Sequence, residues 1–160
     1  MIKLTFAAMA ALGLTSAVMA DADSDRAVAE AYLTAYENQD YDTMRALYAT
    51  DANFVDPTSF HLPQMPPIDW QGPDTIIDGI ASWGISGLEY HLDRSYTASG
   101  AVVFDGNADV IYATPSGPRI FTYPIVTIIT VSNGLVVEHR DYTDYANSRE
   151  ITPEATANDN

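Results

Sequence analysis

An imidazole and a carboxylate two residues apart, late in the chain, are the first pairing able to do chemistry. In Gly134-Leu-Val-Val-Glu-His-Arg-Asp-Tyr-Thr-Asp-Tyr145 they are His139 and Asp141, and the stretch follows an Asn133-Gly134 pair. That dipeptide favours a tight hairpin turn, so the stretch reads as a hairpin's second strand. Side chains alternate faces along a strand. Leu135, Val137, His139 and Asp141 therefore share one face, and Val136, Glu138, Arg140 and Tyr142 the other. An apolar face that ends in ionisable groups reads as a pocket wall; an exposed strand end is the alternative. Histidine beside a carboxylate can accept and return a proton near neutral pH. On an earlier strand Asn107 and Asp109 also share a face, and Asp56 stands before Pro57, where it can serve a turn. His139, Asp141, Asp109 and Asp56 hold donor atoms for a divalent ion, but no compact ligand motif joins them, and no metal site is expected. A Gly-rich phosphate loop, a nucleophile elbow and a cysteine nucleophile are all missing, so no cofactor is expected.

At 160 residues the chain is the size of one domain, and 47% apolar content is that of a globular protein. Residues 1–20 differ from the rest: Lys3 precedes an apolar, small-residue stretch that ends in Val18-Met19-Ala20. This reads as a signal peptide cleaved before Asp21, with an uncleaved anchor as the alternative. Without cysteine there is no lipoprotein anchor and no disulfide framework. The mature protein is expected to be soluble, periplasmic or secreted, with no membrane contact after cleavage. Lys3 is the only lysine, and the formal net charge is −15. A surface this acidic repels nucleic acid and anionic lipid, so neither is an expected partner.

The elements that must position these groups follow in order. Acidic residues at 21–25 suit a helix start, and Val28, Ala31, Tyr32, Ala35 and Tyr36 recur at helical spacing. Asp42 can cap a second helix with Met44, Leu47 and Tyr48 inward. A short apolar segment, 52–56, ends at Asp56-Pro57. Residues 58–73 carry four prolines with Phe60, His61, Met65 and Trp70 between them, and read as a pocket mouth or a stiff crossover. Pro73 suits the first turn of a third helix bearing Ile76, Ile77 and Ile80. Alternation then predicts strands over 88–98, 101–113, 119–131 and 135–145, with a polar tail over 147–160. Helices followed by a strand meander make an α+β pattern. Both faces of the 101–113 strand carry apolar residues, so a homodimer covering the outer face is expected.

With these elements in place, two stretches resemble a known superfamily. Tyr32-Leu-Thr-Ala-Tyr-Glu-Asn-Gln-Asp-Tyr-Asp, continued by Ala46-Leu-Tyr-Ala-Thr-Asp-Ala-Asn-Phe-Val-Asp-Pro57, resembles the opening of nuclear transport factor two-like proteins such as ketosteroid isomerase and the SnoaL-like cyclases. The closing Gly134 to Asp144 is similar to the last strand of limonene-epoxide hydrolase and its SnoaL-like relatives. The resemblance spans roughly Ala27 to Tyr145, and a SnoaL-like domain over 21–146 is expected. It implies a curved antiparallel sheet wrapped around three N-terminal helices, with a cone-shaped apolar pocket. It also implies roles. Tyr32 falls on the isomerase's oxyanion-donating tyrosine and Asp56 on its proton-shuttling carboxylate, while Val126 replaces its second, protonated-Asp donor. Asp109 and Asp141 fall on two catalytic carboxylates of the hydrolase. Asn107 replaces the arginine between them, and Phe54 and Asp56 replace its water-holding tyrosine and asparagine.

The expected catalytic set is thus Asp56, Asp109, His139, Asp141 and Tyr32, with Phe54, Asn107, Val126 and Trp70 around the substrate. Carboxylates crowded into an apolar space favour one protonated acid beside one ionised base, the requirement for moving a proton within a substrate. The function expected is binding of a small apolar molecule with cofactor-free acid–base chemistry: isomerisation, cyclisation, dehydration or hydrolysis. The alternative is a non-catalytic ligand-binding or dimerisation module of the same fold.

Overall fold

The structure is a computed structural model that describes residues 12–152, with side chains from residue 22 onward. Residues 1–11 of the expected leader and the end of the tail, beyond residue 152, lie outside the described residues, and residues 12–20 are described by their backbone alone.

Helix α1 runs over Leu12–Glu37, and α2 over Tyr41–Leu47. The cap of α2 is Asp40 rather than Asp42: its side chain accepts from the Thr43 amide at 3.1 Å. The chain turns directly into β1 (Tyr48–Asp56), so Tyr48 opens a strand instead of closing a helix. A 3-10 turn, Pro57–His61, leads to β2 (Ile68–Gln71) and then to α3 (Pro73–Ala81). The proline-rich crossover therefore contains a short strand paired with β1, Trp70 opposite Phe54. α3 lies tight on that strand, since a Cβ on Gly79 would meet the Trp70 ring at 2.7 Å.

The meander follows as β3 (Gly87–Ala98), β4 (Ala101–Tyr112), β5 (Arg119–Ser132) and β6 (Leu135–Thr143). All four match the strands read from alternation to within one or two residues. The seven-stranded sheet has the order β2-β1-β6-β5-β4-β3. It is mixed, because β1 runs parallel to β6, with Phe54 beside His139. The fold is α+β, three helices against a curved, unclosed sheet. The first residues of the expected tail are ordered: β7 (Arg149–Ile151) pairs with β5 over Ile120 to Thr122, just past the stretch that β6 covers.

Two irregularities decide which side chains point inward. In β6 the register shifts beside Thr130 and Val131, so Val136 faces the core and is fully buried. Leu135 and Val137 are thus not on the face of His139 and Asp141; a bulge adds one residue and reverses the alternation. In β3 the register shifts between Leu92 and Arg94, opposite Gly106. A Cβ on Gly106 would lie 2.2 Å from the His91 carbonyl oxygen, so only glycine admits the bulged strand.

The core fills the space between helices and sheet. Tyr32, Tyr36, Met44, Ile76 and Ile80 meet Phe54, Val102, Phe104, Ile129 and Val136, all nearly or wholly buried.

Candidate functional site

A partly open cavity of about 150 Å³ lies between the helices and the concave face of the sheet. Its wall includes Asp56 and Asp141 among apolar and aromatic side chains. β6 places Asp141 there, and β1 ends at Asp56 where Pro57 turns the chain.

Asp141 is 4% exposed and is held through one oxygen. Thr127 Oγ1 donates to Oδ1 at 2.5 Å, and His139 Nε2 lies 3.0 Å from the same oxygen. Oδ2 takes no hydrogen bond from the described residues. A carboxylate only accepts, so Nε2 carries the hydrogen, and in the tautomer protonated there alone Nδ1 accepts. The donor there is the Tyr32 hydroxyl at 2.7 Å, which is itself hydrogen-bonded to Tyr48. On the other side Tyr90 donates to Thr127 at 3.0 Å. A continuous chain thus runs Tyr48, Tyr32, His139, Asp141, Thr127, Tyr90, which leaves only Asp141 Oδ2, on the cavity wall, without a protein partner. His139 is fully buried, with the Phe54 ring 4.0 Å from its own and Tyr36 edge-on at 5.1 Å.

Asp56 is held as firmly. Its Oδ1 accepts from the Thr58 amide at 2.9 Å and from the Thr58 hydroxyl, and Oδ2 accepts from Tyr145 at 2.8 Å. Thr58 Oγ1 in turn accepts from the Thr143 amide at 3.1 Å, which fixes the turn after β1 to the end of β6.

The expected residues separate into three groups. Asp56 and Asp141 line the cavity together. Tyr32, His139, Phe54 and Trp70 stand behind its wall: Tyr32 and His139 in the hydrogen-bonded chain, Phe54 and Trp70 stacked with centroids 5.5 Å apart. Asp109, Asn107 and Val126 face away from it. On β4 the inward residues are Ala108, Val110 and Tyr112, which line the cavity, so Asn107 and Asp109 point to the opposite side of the sheet. There Asp109 meets His91 at 3.0 Å across β3. Val126 pairs with Asp105 and Tyr142 on that outer face. The expected catalytic place of Asp109 is thereby corrected, along with the pocket places of Asn107 and Val126.

Beyond Tyr32, the sequence patterns single out none of the tyrosines as site residues. Tyr36, Tyr90, Tyr112, Tyr123 and Tyr145 all line the cavity. Tyr36 lies one helical turn after Tyr32 on the same stripe, and its hydroxyl has no protein partner among the described residues. Ten tyrosines against five phenylalanines was the available signal, since buried hydroxyls need a purpose. Burial pushes the phenols of Tyr32, Tyr36 and Tyr90 well above the ordinary 10.0, and the charge of Asp141 adds to the effect in each. Burial and the bond to Asp56 raise Tyr145 as well. At physiological pH all four are donors.

These raised values favour the folded state at alkaline pH. The folded state keeps protons that the unfolded chain loses, so this contribution is complete below pH 10.0 and is lost as the pH climbs through the folded values. Titration with alkali should show tyrosinate absorbance rising together with loss of near-ultraviolet circular dichroism. Smooth ionisation of all ten tyrosines in a protein that keeps its tertiary signal would contradict this burial.

Residues 29–139 match the model of the SnoaL-like domain. Among solved structures, a Shewanella putrefaciens CN-32 protein described as a SnoaL-like polyketide cyclase is 26% identical, with a TM-score of 0.65 over 76% of this chain and 90% of that one. An LEH-like epoxide hydrolase from M. tuberculosis is 21% identical, with a TM-score of 0.62 over 78% of this chain and 85% of that one. No curated protein matches. The family match covers more than half of the sequence, and the fold agrees over 76% of it: the chain belongs to the SnoaL-like domain family.

Proposed function

We propose that the protein binds a small, largely apolar organic molecule in this cavity and moves a proton on it without a cofactor, with Asp141 as the acid–base group. One observation carries the reading. Asp141 is a buried carboxylate whose Oδ1 is fixed by Thr127 and His139 while Oδ2 stands free on the cavity wall. A base held this way needs no reorganisation before it acts. Tyr36 offers an unengaged hydroxyl on the same wall, suited to an oxygen on which charge builds. That role, implied for Tyr32 by resemblance, passes to Tyr36 because Tyr32 is occupied by His139 and Tyr48. His139, Tyr32 and Tyr48 act as positioning residues, and Asp56 with Tyr145 supplies a second acid–base pair. Isomerisation, cyclisation, dehydration and addition of water all need this equipment. Native mass spectrometry of protein purified from its own host should reveal a retained small molecule. Asp141→Asn should lower its turnover by about 10²–10⁴ while the protein stays folded. Unchanged turnover would remove Asp141 from the mechanism and leave a ligand-binding module.

The outer sheet face favours self-association beside this activity. Tyr96 and Tyr142 are 53% and 43% exposed there, next to Val103, Val126 and Ile128. A second copy of the chain, laid face to face, would cover them. Sedimentation should give a homodimer, and Tyr142→Arg should shift it to monomer; a monomeric parent protein would exclude this arrangement.

We propose further that residues 1–20 direct export, leaving a soluble periplasmic or secreted protein. N-terminal sequencing of the exported protein should begin at Asp21, and retention of Met1 on protein in the cytoplasm would refute it.

A further inference from the structure

The cavity carries a charge imbalance that its hydrogen bonds do not remove. Asp56 and Asp141, 1% and 4% exposed, each receive only donors. Donors directed at a carboxylate favour its charged form. Yet no arginine or lysine lines the cavity among the described residues. Five of the six arginines are engaged elsewhere: Arg26 with Glu30, Arg45 with Asp74, Arg94 with Asp105, Arg119 with Glu150 and Arg140 with Glu138; Arg149, exposed on β7, does not line the cavity. The Asp141 side chain is 6% exposed, and its free Oδ2 faces the cavity unmatched.

Much of the remaining wall is aromatic: Tyr36, Trp83, Tyr90, Tyr112, Tyr123 and Tyr145. The faces of such rings are electron-rich and attract cations, more strongly where water is excluded. Both carboxylates also help to hold the Tyr90 phenol up, after burial itself. The formal net charge of −15 draws cations towards the protein as a whole.

From this chemistry we propose that the ligand is a small organic cation, a tertiary or quaternary amine whose apolar substituents meet the aromatic wall and whose charge is met by Asp141 and Asp56. The inference rests on the reading of this cavity as a small-molecule site and gives that molecule its charge class. An inorganic cation would leave the ring of aromatic side chains without a role. A volume of about 150 Å³ suits a ligand group with roughly the bulk of a single six-membered ring. A positive charge beside the reacting carbon also stabilises the negative charge that develops as Asp141 removes a proton, so one contact serves recognition and chemistry.

Choline and its neutral carbon isostere, dimethylbutanol, separate charge from shape. Both are titrated calorimetrically into the full chain at low and high salt, the high-salt arm screening the acidic surface. Choline should bind at least about tenfold more tightly than the isostere in both arms. Asp141→Asn and Asp56→Asn should each cut choline affinity by about tenfold while leaving the isostere unaffected. Tyr123→Leu, on the cavity wall and hydrogen-bonded to neither carboxylate, should also weaken choline selectively, and it keeps the test open if an Asp variant does not fold. Equal affinity for the two probes overturns the charge class and leaves the small-molecule site standing. Choline binding that ignores all three substitutions marks a surface effect and overturns it too. Absence of binding by either probe at millimolar concentration sinks both readings.

Discussion

A carboxylate buried as deeply as Asp141 costs several kcal/mol to desolvate unless donors meet it, and here the donors and their supports come from five elements. β5 gives Thr127 and β6 gives His139, while α1, β1 and β3 supply Tyr32, Tyr48 and Tyr90 behind them. Each hydroxyl in the chain can accept from the member outside it and donate to the member inside it. The direction of every hydrogen bond then follows from the one group that cannot donate. Apolar packing alone would tolerate a slide of α1 along the sheet. A hydrogen-bonded chain through Tyr32 and His139 would not, because a small displacement leaves a polar atom in the interior without a partner.

The same constraint separates chemistry from support. Oδ1 of Asp141 belongs to the network and Oδ2 to the cavity. His139, which looked like a base beside an acid, has both ring nitrogens engaged and no exposed surface. Its contribution is to fix the carboxylate. Asp56 repeats the scheme with Thr58 and Tyr145, which ties the end of β1 to the residues following β6. The two acidic groups reach one cavity although they lie far apart in sequence, because β1 and β6 are neighbours in the sheet.

Local patterns carried much of this into the sequence. Alternation between turn dipeptides was enough for β3 to β6, and the isoleucine stripe after Pro73 was enough for α3. The places where reading failed share a cause: position in the fold depends on something outside the segment. Asp109 sits in a strand with apolar residues on both faces, so its own alternation cannot say which face is inside. Tyr32 and Tyr36 lie on one helical stripe, and only the location of His139 and Tyr48 decides which hydroxyl is engaged and which is free. The bulge that turns Val136 inward is a property of the β5–β6 pair. β2 is hidden among prolines, and its partner strand lies before them in the chain.

The parallel contact between β1 and β6 bears on how the molecule comes into being. As the chain emerges from the ribosome, β1 has β2 on one side, and on the other a gap that the later strand will fill. Phe54 waits for His139, and the helices have only a partial sheet to rest on until then. Pairings this distant along the chain make for slow assembly. The late arrival also brings Asp141, so the strand that seals the interior delivers the charged group with it. No stage of biogenesis offers a finished hollow lacking its acid, and a ribosome that stalls before β6 leaves a chain without its central strand.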